Sequence, residues 1–439
     1  MFSKKLIVLA CAVLTGSFLA AQEELQEKEE LKLTIEQAVE CAIKGNISIK
    51  ESEISLESAG RSKKYSWNSI SPNIKATGSY SKSLPESVEI ASSDGTVSLG
   101  ANITFSFSPS LFGAVKTASL NYEKQEISYE SACRTIELNV RKAFWALLLE
   151  QENINLQKNN MESAKKQYET NLSKYNRGAL SNLDVLTAQV TYQNAELTYE
   201  SAKTDWENDA ASFLQLLGLD IDQKFYLEGS LEEILTLSEI SSETTKDIKI
   251  NSLEIKSLEK QIEAANASLL SSRLGSYAPS LSAGYSYSLS AKDSELSSIA
   301  DNAKGTLSVG VSIPLDSFFP WSSNALTIES QKDSIAILQL EKENAETTLK
   351  VTVRNYLNQI AKSQENIKLR KSSISLAEQT YSMTLDAYNH GTRDLLSLQT
   401  ASYNLLAAKV NLMSEANTLI NAILDLENTL GMEFGTLGK

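Results

Sequence analysis

From Ser280 the chain alternates strictly: Leu281, Ala283, Tyr285, Tyr287 and Leu289 fall on one face, and Ser280, Ser282, Gly284, Ser286 and Ser288 on the other. A period of two predicts a β-strand with one apolar side. Val97, Leu99, Ala101, Ile103, Phe105 and Phe107 repeat the pattern against Ser98, Gly100, Asn102, Thr104, Ser106 and Ser108. Leu307, Val309, Val311, Ile313 and Leu315 repeat it again. With the run after Pro72, four strands are expected, at about 73–83, 96–108, 280–290 and 306–315. The polar stretches "LPESVEIASSDG" and "AKDSELSSIADNAK" join them as the loops of two β-hairpins.

Elsewhere the period is helical, and it is written twice. Val140–Gly218 aligns with Val353–Gly431 without a gap at an offset of 213, with 22 of 79 positions identical. Ala164, Tyr168, Leu172 and Tyr175 recur as Ala377, Tyr381, Leu385 and Tyr388, spaced four, four and three apart as one helical stripe. Ile154 and Met161 extend it upstream in a heptad-like repeat, which predicts helices packed side by side. Each half should carry one long helix, roughly 113–177 and 321–390, about 100 Å long at 1.5 Å per residue. "YNRGALSNLDVLTA" and "YNHGTRDLLSLQTA" mark where each turns back. Gly178 and Gly391 suit a left-handed closing residue, and Ser181 and Asp394 suit the next N-cap. Asp184, three residues after Ser181, stands close to a capping box. Return helices follow at about 181–217 and 394–430, and a shorter amphipathic helix opens each half, about 34–68 and 248–273.

Composition agrees with long elements, since 439 residues contain only 6 Pro and 18 Gly. A net charge of −14 argues against a nucleic-acid partner, which needs a basic footprint. Lys4 and Lys5, the apolar run Leu6–Leu14 and the small residues Ala20 and Ala21 form a secretory signal peptide, with cleavage expected after Ala21. A lipoprotein reading through Cys11 leaves an apolar run shorter than the usual 7 to 15 residues. No later stretch reaches the roughly 20 apolar residues of a membrane-spanning helix, so any membrane span must be made of strands. Strands of about ten residues with one apolar face fit an outer-membrane barrel. The competing reading is a sheet with one face on a soluble core. Four strands cannot close, because the smallest membrane barrels have about eight and an open edge in hydrocarbon leaves unsatisfied N–H and C=O groups. Several copies must therefore share one barrel.

The mature chain keeps Cys41 and Cys133, without metal-ligand spacing; they are buried small residues or a disulfide pair. His390, the one histidine, stands without a catalytic or metal-ligating partner, and neither GxSxG nor GxxxxGK occurs. No catalytic, cofactor-binding or metal-binding residues are expected.

The duplicated order of helix, β-hairpin, long helix, tight turn and return helix resembles the TolC-like outer membrane efflux protein family over essentially the whole mature chain. The residues that carry the resemblance are "LTIEQAVECAIKGN", "VRKAFWALLLEQENI", "YNRGALSNLDVLTAQ", "SFLQLLG", "APSLSAGYSYS" and "YNHGTR". The resemblance implies a mainly α fold with β structure. It implies a homotrimer in which a twelve-stranded outer-membrane β-barrel continues as a periplasmic α-helical barrel. It also implies a passive exit duct for efflux or type I secretion. Its partners would be a periplasmic membrane-fusion adaptor, an inner-membrane RND or ABC transporter, and outer-membrane lipid. The chain then divides into the leader 1–21, a first repeat 22–218, an equatorial segment 219–247 and a second repeat 248–439.

Matched to the family's motif by distance from the glycines, Tyr388, Arg393 and Asp184 would latch the periplasmic tip, with Asp394 as a further acidic candidate. Some members carry aspartates six and nine positions after the second-repeat glycine; here those places hold Ser397 and Thr400. A secreted periplasmic coiled-coil structural protein or adhesin, without channel activity, is the alternative. It would explain the heptads but not four amphipathic strands placed in duplicate.

Overall fold

A computed structural model describes residues 31–82, 95–229 and 251–437. The leader, the loop between the first two strands and the inter-repeat segment beyond Gly229 lie outside the described residues. The elements run β1 (Leu31–Leu33), α1 (Ile35–Gly45), α2 (Ile47–Lys64), β2 (Asn73–Ser81), β3 (Thr96–Phe107), α3 (Ser110–Asn176), α4 (Asn182–Leu217) and β4 (Phe225–Leu227). The second half follows as α5 (Leu253–Tyr277), β5 (Ser280–Lys292), β6 (Lys304–Ser312), α6 (Ser323–Asn389) and α7 (Leu395–Leu430).

The two long helices α3 and α6 are each 67 residues, about 100 Å, and the return helices α4 and α7 are each 36 residues. Each pair forms an antiparallel hairpin, and α3 packs on α7 to join the hairpins. The short helices α2 and α5 lie against the other half of the long ones. They continue the return helices nearly end to end. Asn46 donates from Nδ2 to the Leu216 carbonyl at the end of α4 (2.8 Å), and Asn251 donates its N–H to the Leu430 carbonyl at the end of α7 (3.1 Å). Gly45 and Gly218 meet backbone to backbone there, and a Cβ on Gly45 would strike the Leu217 carbonyl.

The same junction corrects the expectation of one helix over 34–68. The helix breaks at Asn46, whose backbone is extended (φ −63, ψ 131) and whose side chain caps α2 by accepting from the Ser48 N–H. An asparagine that can cap one helix and donate to another offsets the lost helical bonds, and periodicity does not register such a break.

The main core forms a belt at this junction. Phe144, Leu147 and Val140 of α3, Phe213 and Leu217 of α4, Ala38 and Ala42 of α1, and Ala416 and Ile420 of α7 are all buried there. Each large apolar side chain contributes roughly 1.5–3 kcal/mol on burial. The two-stranded parallel sheet β1–β4, paired Leu31↔Phe225 to Leu33↔Leu227, closes over the belt. Arg134 fastens the C-terminal segment: Nε donates to Asn428 Oδ1 (3.0 Å), one terminal nitrogen donates to the carbonyls of Glu427 and Met432, and the guanidinium lies over the Phe434 ring. Cys41 and Cys133 are free and half-buried.

β2, β3, β5 and β6 form one antiparallel sheet in that order. Register carries the sequence alternation across all four strands: Ile74, Ile103, Tyr285 and Leu307 lie in one row, and Lys75, Asn102, Ser286 and Thr306 in the next, on the opposite face. The apolar face meets no core. Leu307, Ile74 and Val309 are 75%, 72% and 71% exposed. Beyond β6, Pro314 lacks an N–H and cannot extend the ladder.

Candidate functional site

At the far end of the helices lie two hairpin turns built alike. Gly178 and Gly391 both take left-handed backbone (φ 72), which only glycine adopts without strain. Their N–H groups donate to the Tyr175 and Tyr388 carbonyls. The following N–H groups, of Ala179 and Thr392, reach back to Lys174 and Ala387, so the last carbonyls of α3 and α6 are satisfied. Ser181 and Asp394 then cap α4 and α7 by accepting from the N–H of Asp184 (3.2 Å) and Ser397 (2.9 Å).

The carboxylate of Asp184 does not reach back to the Ser181 N–H as a capping box would; its Oδ2 accepts from Ser181 Oγ instead (2.6 Å). Asp394 is exposed, and its pKa is held below the ordinary value first by the Ser397 hydroxyl and amide, with the charge of Arg393 adding to the effect. Arg393 is exposed and, among the described residues, has no ion pair within its own chain. His390 is exposed, with Nδ1 at 2.8 Å from the Asp386 carbonyl.

Tyr388 is buried, and its hydroxyl donates to Asn171 Oδ1 at 2.9 Å rather than to Asp184. Gln167 Nε2 donates to the same oxygen (2.9 Å), and Lys174 Nζ sits 5.3 Å from the Tyr388 ring centre. Burial pushes the Tyr388 pKa up and Asp184 adds to this, against the hydrogen bond with Asn171. Ala188, Leu395 and Leu398 complete the cluster around the ring. Nearby, Gln399 Nε2 donates to Thr191 Oγ1 (2.6 Å), tying α7 to α4. Above these contacts α3, α4 and α7 part around a cleft of about 710 Å³ lined by Gln157, Ala164, Thr191, Ala195, Tyr403 and Leu406.

Asn171 is fully buried, and the helical stripe read from the sequence passed over it. The stripe placed Leu172 and Tyr175 in the packed seam, yet both are exposed in the protomer, at 37% and 42%. The buried seam instead runs through Asn171, four residues before Tyr175 and three after Tyr168. A polar residue at heptad spacing was the available signal. Its counterpart in the second repeat is Thr384, so the two tips differ in their interior.

A four-stranded sheet with an uncovered apolar face, set on paired helices of about 100 Å that end in matched hairpins, defines a membrane-barrel segment mounted on an α-helical tunnel wall. The chain matches the model of the family described as "Outer membrane efflux protein" over residues 38–219 and 245–432, and it belongs to that family. It is an outer-membrane protein with a long periplasmic helical portion.

Its relatives are channel proteins rather than enzymes. The outer membrane protein TolC of Vibrio cholerae is 21% identical over 344 residues, 76% of each chain. That of Escherichia coli is 21% identical over 365 residues, 77% of this chain and 71% of the other. Among solved structures, the Campylobacter jejuni CmeC outer membrane channel superposes with a TM-score of 0.73 at 20% identity, over 90% of this chain and 85% of that one. The open state of the Neisseria gonorrhoeae MtrE outer membrane channel gives 0.67 at 16% identity, over 91% and 89%. At these identities the structures speak for the fold.

Proposed function

We propose that this chain is the outer-membrane exit duct of a tripartite efflux pump or type I secretion system, a passive homotrimer gated at its periplasmic tip. The observation that carries the reading is the sheet. β2 and β6 are its two edges. An apolar sheet with open edges is stable in a bilayer only if each edge pairs with another copy. Three copies supply twelve strands and bring four long-helix tracks each to one tunnel. A periplasmic membrane-fusion adaptor would then dock on the helical portion, and an inner-membrane RND or ABC transporter would supply the energy, since the sequence carries no GxxxxGK nucleotide-binding motif.

The tip gate rests on Asp184, Tyr388, Arg393 and Asp394 at the turns of Gly178 and Gly391. Tyr388 is held inside its own protomer through Asn171, whereas Arg393 is exposed at the turn and, among the described residues, forms no ion pair. In a closed trimer it would meet the Asp184 carboxylate of the next copy. A neutral hydrogen bond is worth about 0.5–1.5 kcal/mol net and an exposed ion pair about 0–1, so a ring of such contacts holds a tip shut yet opens under a partner's binding energy.

Single-channel recording of the detergent-extracted oligomer, wild type against Arg393→Ser, tests the reading. Small wild-type currents that grow in the variant are expected. Equal currents would remove the latch and leave the duct. Well-folded protein that never conducts, and that washes from membranes with urea, would favour the secreted coiled-coil rod.

A further inference from the structure

In the four-stranded sheet, every charged side chain carried by a strand is a lysine. They are Lys75 on β2, Lys292 at the outer end of β5 and Lys304 at the start of β6. Register puts all three on the polar face. Lys75 lies in the row of Asn102, Ser286 and Thr306; Lys304 in the next row outward, opposite Ser288; and Lys292 opposite Thr96, in line with Ser288 and Ser290 along its strand. All three are exposed, and none forms an ion pair among the described residues. The acids of this region, Glu86, Glu89, Asp94, Asp293, Glu295 and Asp301, belong to the two connecting segments rather than to the strands. A chain of net charge −14 thus carries a purely basic set on one face of its sheet.

A barrel strand turns its apolar side to lipid and its polar side to the lumen. On the reading that copies close edge to edge, β6 of one copy lies beside β2 of the next. Within one copy, register sets Lys304 one lumen row, about 7 Å along the strand, further out than the row of Lys75, and Lys292 two rows beyond Lys304. Three lysines per chain in three copies give nine positive charges on the lumen face, spread from the row of Lys75 outward to Lys292. At 0.1 M salt the Debye length is about 10 Å, so each lysine sets the potential of the lumen wall around it rather than being screened out locally. Rings of Lys or Arg attract anions and repel cations from a pore, with the rest of the lining neutral Ser, Thr, Asn and Gly.

We propose that the strand segment of this protein is an anion-preferring filter, built by Lys75, Lys292 and Lys304. It favours exit of small anions and of solutes bearing carboxylate, sulfate or phosphate groups. The inference rests on the trimeric-duct reading but is independent of the tip latch, which lies at the other end of the long helices.

The test is the reversal potential of single channels under a KCl gradient, for wild type, the triple variant Lys75→Gln/Lys292→Gln/Lys304→Gln, and the matching triple Arg variant. At about 0.1 M salt the wild type and the Arg variant should prefer chloride to potassium, and the Gln variant should lose that preference. Near 1 M, where the Debye length is about 3 Å, the wild-type preference should fade. The salt dependence of the wild type decides the matter even if the Gln variant does not insert. Channels that form but prefer potassium, or whose reversal potential is the same with and without the lysines, overturn the filter while leaving the duct. Folded, membrane-extracted protein that forms no channel removes the duct, and the filter with it.

Discussion

Glu150 of α3 is the carboxylate whose replacement should make the stability of the helical portion least dependent on pH. It faces Asp209 and Asp205 of α4. Desolvation first, and then the Asp209 carboxylate, push its pKa up to about 7 from an ordinary 4.5. Its Oε2 is buried, whereas both aspartates are exposed, so the proton is assigned to Glu150. A raised carboxyl binds more protons folded than unfolded. The stability it contributes is therefore fully present below about pH 4.5 and is lost as pH rises through about 7. At roughly 1.4 kcal/mol per decade the shift corresponds to about 3 kcal/mol for a fully desolvated group. Glu150 is only half-buried, and water screening reduces this to about 1–2 kcal/mol.

Glu150→Gln keeps the shape and the donor and removes the titration. In thermal unfolding of the detergent-extracted protein, followed by helical circular dichroism, the variant should match wild type at about pH 4.5 and exceed it by about 1–2 kcal/mol at about pH 8.5. A variant no more stable than wild type at the higher pH, or a difference that does not change with pH, would refute the reasoning.

Tyr388→Phe leaves Asn171 Oδ1 with Gln167 alone and should cost about 1 kcal/mol at the tip, seen as longer or larger open events in bilayer recordings; unchanged recordings would mean Tyr388 does not restrain the tip. Gly391→Ala meets no neighbouring atom, so its cost is conformational alone, about 1–2 kcal/mol, and should appear as faster hydrogen exchange confined to the second hairpin. Glu427 is fully buried, and its carboxylate accepts from the N–H groups of Gly435 (2.9 Å) and Leu437 (2.8 Å). Glu427→Ala should cost about 3 kcal/mol and expose the C-terminal segment to limited proteolysis; protection equal to wild type would count against that role.

The features legible in sequence are those that periodicity enforces. Period two marked both faces of the sheet, because register repeats the alternation of Ile103 and Tyr285 across the strands. The 213-residue offset marked both hairpins, because Gly178 and Gly391 must take the same left-handed turn. What escaped was aperiodic. The break at Asn46 depends on a carbonyl of Leu216, 170 residues away. The burial of Asn171 depends on a tyrosine 217 residues away. Polar side chains in a helical seam are set by partners that no local pattern contains, so the interior of the tip emerged only when the two hairpins were brought together.

The central claim is that three copies of this chain close one barrel through the edges of β2 and β6. The native mass of the detergent-extracted oligomer tests it most directly. The account predicts a single species of three chains. A monomer that stays folded in detergent, or a stable two-chain species with eight strands, would contradict it.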